Sequence, residues 1–71
     1  MVLKDELDKE LIHTFIGTYV NNTIHTNKGD KIKCTAYRQC NKDIIAGATY
    51  CFNIKYSDDL QDWVLFQVVP M

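Results

Sequence analysis

The chain has 71 residues, 46% of them hydrophobic and 24% charged, with a formal net charge of −1. This length gives a single domain over 1–71 that buries roughly 60% of its unfolded surface and has a stability on the order of 4–10 kcal/mol. The composition excludes a disordered chain, and no run approaches the roughly 18 apolar residues of a membrane span.

The N-terminus, Met1-Val2-Leu3-Lys4-Asp5-Glu6, turns acidic at once and lacks the apolar centre of a signal peptide. The sequence therefore predicts a cytoplasmic protein, and an odd number of cysteines, 34, 40 and 51, fits a reducing compartment. Asn21-Asn22-Thr23 matches the glycosylation sequon, which without a secretory leader is read as coincidence.

Lys4 to Val20 reads as an amphipathic helix. Leu7, Leu11, Phe15 and Tyr19 fall at i, i+4 spacing, Ile12, Ile16 and Val20 widen the stripe, and acids fill the first turns. Gly17 inside it is read as the small residue that lets a helix approach a sheet. Thr23 to Lys31 is a connection with an extended piece at 23–26 and a turn at Asn27-Lys28-Gly29-Asp30. A first strand is expected from Ile32 to Cys40, then an exposed tip at Asp43-Ile44-Ile45-Ala46-Gly47. A second strand runs from Ala48 to Tyr56, with Tyr50, Phe52, Ile54 and Tyr56 on one face and Thr49, Cys51, Asn53 and Lys55 on the other. After an acidic turn over 57–62, a third strand runs from Trp63 to Val69. The expected class is α+β, one helix packed on an antiparallel sheet.

Catalytic chemistry is not expected. The three cysteines are six and eleven residues apart, which fits neither a zinc nor a redox pattern, and the two histidines share no ligand spacing. Asp58, Asp59 and Asp62 lack the glycine and closing glutamate of a calcium loop. The three glycines, at 17, 29 and 47, form no phosphate cradle. No metal or cofactor is implied.

Charge is unevenly spread. Residues 1–20 carry two lysines against four acids, 21–55 six bases against two acids, and 56–71 three aspartates with no base. The basic middle is read as a solvated sheet face, since stacking aromatics are not interleaved with the lysines along the chain. Nucleic acid and membrane are therefore not expected partners.

Two apolar features invite a protein partner: adjacent isoleucines at an exposed tip, and a strand end rich in valine. Here the chain resembles the cystatin superfamily, and the stefin branch most closely. The family's Gln-Val-Val-Ala-Gly is matched by Asp43-Ile44-Ile45-Ala46-Gly47, followed by Ala48-Thr49-Tyr50, and its Phe-Gln-x-x-Pro by Phe66-Gln67-Val68-Val69-Pro70. The resemblance implies a cystatin-like fold and reversible inhibition of papain-like cysteine proteases, the tip entering the active-site cleft as a wedge. Asp43, Ile44, Ile45, Ala46 and Gly47 would form the wedge, and Val69 and Pro70 the start of the family's second contacting loop. The alternative is a cystatin-fold interaction or assembly module without inhibitory activity. In stefins a further strand pairs with the one matched here by 63–69. Two copies are expected to pair through that strand, because an unpaired apolar edge recruits other chains.

Overall fold

The computed structural model describes residues 6–71. Its elements are β1 (His13–Val20), β2 (Thr23–Thr26), β3 (Lys31–Lys33), β4 (Thr35–Ala36), α1 (Arg38–Asp43), β5 (Tyr50–Ser57) and β6 (Asp62–Pro70). No helix among the described residues is long and apolar enough to cross a membrane.

The helix expected over Lys4–Val20 is the principal correction. Its first residues lie outside the described ones, and its second half is the strand β1. The i, i+4 spacing that suggested a helix is even, so Phe15 and Tyr19 share a face in a strand as well. Composition decides between the two periods: Thr14, Phe15, Ile16, Thr18, Tyr19 and Val20 are β-branched or aromatic, the types that fit a pleated surface. Phe15, Gly17 and Tyr19 turn inward, whereas Ile12 and Ile16, assigned to the helix stripe, are 60% and 40% exposed.

The expected α+β, cystatin-like fold, a helix packed on an antiparallel sheet, is accordingly replaced by a mostly β domain with a mixed six-stranded sheet in the order β3-β2-β1-β5-β6-β4. β1, β2 and β3 form an antiparallel meander, and β5 returns beside β1, which is the Greek-key order. β3 and β4 stand at opposite ends of that order yet are separated in the chain by Cys34 alone. The sheet must therefore curl until one bent segment, 31–36, serves both ends. Its first half pairs antiparallel with β2; its second half pairs parallel with β6, Thr35 beside Val64 and Ala36 beside Leu65. The result is a small five-stranded barrel of the partly open kind.

The barrel interior is the core. Tyr19, Ile24, Ile32, Cys34, Tyr50, Phe52, Ile54, Trp63 and Leu65 form one buried cluster. The period-two pattern of β5 predicted Tyr50, Phe52 and Ile54 inside, and they are, although they face the opposite wall of the barrel rather than a helix. The register of β6 breaks within its apolar run. Asn53 pairs with Gln67 but Ile54 with Leu65, so Phe66 is a bulged residue that switches parity between Leu65 and Val68. Outside the barrel, Thr14, Asn53 and Gln67 form a hydrogen-bonded row across β1, β5 and β6.

Where β1 passes β2 the tyrosine of the core finds its polar partner. The Tyr19 hydroxyl donates to the Cys34 carbonyl at 2.7 Å. Burial, reinforced by the neighbouring Cys34, pushes this phenol from 10.0 up to about 12, with a backbone hydrogen bond at Ala36 acting the other way. A folded-state value above the unfolded one contributes stability that is present below pH 10 and is lost as pH rises toward 12. Denaturation midpoints measured along an alkaline series are expected to fall across that window. Tyr19→Phe should flatten the fall, and an undiminished fall in that variant would assign it to another group.

Candidate functional site

The sequence predicts an exposed tip at 43–47 between two strands, and the resemblance makes it a wedge. In the structure it is a helix-to-strand loop, because 38–43, Arg-Gln-Cys-Asn-Lys-Asp, has no β-branched residue and forms the short helix α1 where a strand was expected to end. Asp43 is the last helical residue and is exposed. Ile44 turns back and packs, half-buried, against the core. Ile45 stands 70% exposed, followed by exposed Ala46 and Gly47.

This loop is tightly organised. The Ala48 N–H donates to the Ile45 carbonyl at 3.0 Å, closing a four-residue turn. Gly47 occupies its third position with φ +87°, the left-handed backbone that a type II turn needs and that glycine adopts without a Cβ penalty. Below the turn lies Tyr50, whose ring is buried in the barrel. Its hydroxyl accepts the Ile45 N–H at 3.0 Å and donates to the Asp43 carbonyl at 3.3 Å, tying the N-terminal arm of the loop at two points to the first residue of β5.

The other two predicted residues are brought to the same end by strand register. Tyr50 pairs with Pro70 and Cys51 with Val69, so the end of β6 runs beside the root of the loop. Val69 is 42% exposed, and Met71 beyond it 72%. Sequence reasoning omitted Met71 and placed Ile16 in a helix stripe. Pairing of Ile16 with Cys51, and of Cys51 with Val69, puts all three in one outward row across β1, β5 and β6. On the opposite flank of the loop, Ile44 and Ala46 line an open cleft of about 420 Å³ with Tyr19, Val20, Asn21, Asn22 and Asn41. Among the described residues, no group of three or more His, Cys, Asp or Glu side chains is placed to hold a metal ion.

Cys51, expected on the outer sheet face, is half-buried there between Ile16 and Val69, whereas Cys34 and Cys40 are buried. Burial, and then the nearby Asp43, push the Cys40 thiol upward, which lowers its thiolate fraction further. A disulfide reagent applied to the native protein is expected to modify Cys51 first. Cys51→Ser should remove the fast phase; a fast phase that survives it would reverse the face assignment.

No family model, curated protein or solved structure matches the chain. The likeness to cystatins therefore stands on the two motifs alone.

Proposed function

We propose that the chain is a reversible inhibitor of papain-like cysteine proteases that inserts the loop 43–47 into the active-site cleft, with Val69 and Pro70 as the flanking contact. The supporting observation is a preformed crest: Ile45 exposed at the top of a closed turn whose N-terminal arm is tied twice to Tyr50. A turn ordered before binding loses little conformational freedom on entering a cleft. Gly47 leaves the crest without a side chain at the point where backbone would approach the catalytic groups. The two motifs that carry the resemblance, separated in sequence, lie together here through the pairing of Tyr50 with Pro70. The decisive experiment is titration of papain with the protein and a fluorogenic substrate. Loss of activity near stoichiometry supports the reading, and full activity at micromolar excess refutes it.

A non-inhibitory assembly module is the second reading, and the observation favouring it is the edge of β6. Val64 and Leu65 have strands on both sides, but no strand of the described residues pairs with the outer edge of 66–70. A homodimer through the strand 63–69 would thus be confined to its second half, since Trp63, Val64 and Leu65 are buried within one chain. Sedimentation at micromolar concentration would read it directly.

A further inference from the structure

Sequence alone set nucleic acid aside because no aromatic residue alternates with the lysines. Folding supplies the interleaving. The Lys55 ammonium lies 5.2 Å from the centre of the Phe66 ring and 5.8 Å from that of Tyr37. These three residues come from β5, from the bulge of β6 and from the residue between β4 and α1. Tyr37 is 42% exposed, Lys55 is exposed and Phe66 half-exposed, so the rings are offered outward and not consumed by the core.

The bent strand extends this cluster into a strip. Ile32 and Cys34 point into the barrel, so burial alternates strictly from 31 to 37, and Lys31, Lys33, Thr35 and Tyr37 all face out. Alternate residues on a strand are roughly 6.6 Å apart, which sets Lys31 and Lys33 side by side on the outward face of the arm that leads, through the bend at Cys34, to the tyrosine. Arg38, exposed at the start of α1, stands next to it. The acids on these strands lie at the margins: Asp30 precedes β3, and Asp62 begins β6, where its carboxylate accepts the N–H of Trp63. A solvated ammonium over two rings contributes little to folding.

The geometry points to a binding site for single-stranded nucleic acid on the outer face of the bent strand, its bases stacking on Tyr37 and Phe66 and its phosphates meeting Lys55, Lys31 and Arg38. Stacking platforms joined to a cationic track are what sequence-tolerant single-strand binding requires. The site is separate from the loop 43–47 and does not rest on the inhibitor reading.

The test is fluorescence anisotropy of a labelled oligothymidylate about a dozen nucleotides long, titrated with the intact protein at several salt concentrations. Micromolar binding that weakens with salt is expected. Tyr37→Ala should weaken it at least about fivefold, and Lys55→Gln should lower the salt slope by about 0.7. Both side chains are exposed enough that circular dichroism should confirm folded variants; if Tyr37→Ala alone unfolds, Tyr37→Leu replaces it. The proposal is overturned by no signal at about 100 μM protein, the weak end of sequence-independent binding. It is equally overturned if the Tyr37 variant binds as the parent does, or if heparin, which has charge and no bases, binds as tightly as the oligonucleotide. Ile45→Asp should leave oligonucleotide binding unchanged.

Discussion

Gly17→Ala is expected to destabilise the protein by about 3 kcal/mol or more, a melting temperature lower by roughly 12 °C or more. A Cβ built at this position would lie 2.0 Å from the carbonyl oxygen of His25 and 2.8 Å from both the His25 carbonyl carbon and the Thr26 Cα. All three are backbone atoms of β2, the strand that Gly17 faces in register with Thr26. No flexible side chain can give way, so β1 and β2 would have to part at their closest approach. The sign of the result is informative. In the interior of an exposed helix the same change would stabilise by about 1 kcal/mol. A melt at or above the parent temperature would therefore restore a helix over 13–20, and a collapse supports the strand.

Ile45→Asp should weaken protease binding by about 3 kcal/mol, roughly a hundredfold, while the melting temperature stays within a few degrees. The free protein keeps the new carboxylate in water, because Ile45 is 70% exposed. Seated in a cleft, the same carboxylate would be desolvated without a partner. Its neighbour provides the control. Ile44 packs on the core cluster, so Ile44→Asp should lower stability first and binding only as a consequence. If Ile45→Asp inhibits papain as well as the parent does, the crest of the turn is not the contact.

The contrast between those two isoleucines shows how far the sequence could be read. An apolar pair in a polar loop was visible as a feature in need of a partner, but not that one member serves the core and the other does not. That division depends on Tyr50 reaching back to the backbone on either side of Ile44, a contact between a core position and a loop that no local pattern announces. The strands were more accessible. Alternation in 50–57 and the extended piece at 23–26 were read close to their observed limits. β6 was located too, although its apolar run hid the bulge at Phe66.

The misreading of β1 has a specific cause. Spacings of four satisfy both helical and extended periods, and the acids of 5–10 look like a helix N-terminus whatever follows them. The β-branched and aromatic content of 14–20 was the better signal. A wrong helix then forced a flat sheet for it to cover, and with it a straight strand over 32–40. The bend at Cys34 is a tertiary event: Ile32, Cys34 and Ala36 keep their alternation through it, and only the change of partner from β2 to β6 reveals it. The cation between Tyr37 and Phe66 was hidden for the same reason, since it depends on that closure.

The seam that closes the barrel also bears on how quickly the chain folds. The meander of β1, β2 and β3 joins neighbours in sequence, but β1 must then find β5, and Thr14 meets Asn53 across a separation of 39 residues. The parallel contact of 35–36 with 64–65 is non-local too, each pair lying 29 residues apart in the chain. Such non-local pairing carries loop-closure entropy before any contact offsets it, which places folding on the order of milliseconds to seconds rather than microseconds. With only two residue pairs holding it, the seam is also the cheapest place for the native barrel to open. The amide of Tyr37, bonded at 3.0 Å to the Leu65 carbonyl across that seam, should exchange with solvent sooner than those of Phe52 or Ile54 in β5, which has a strand paired on each side.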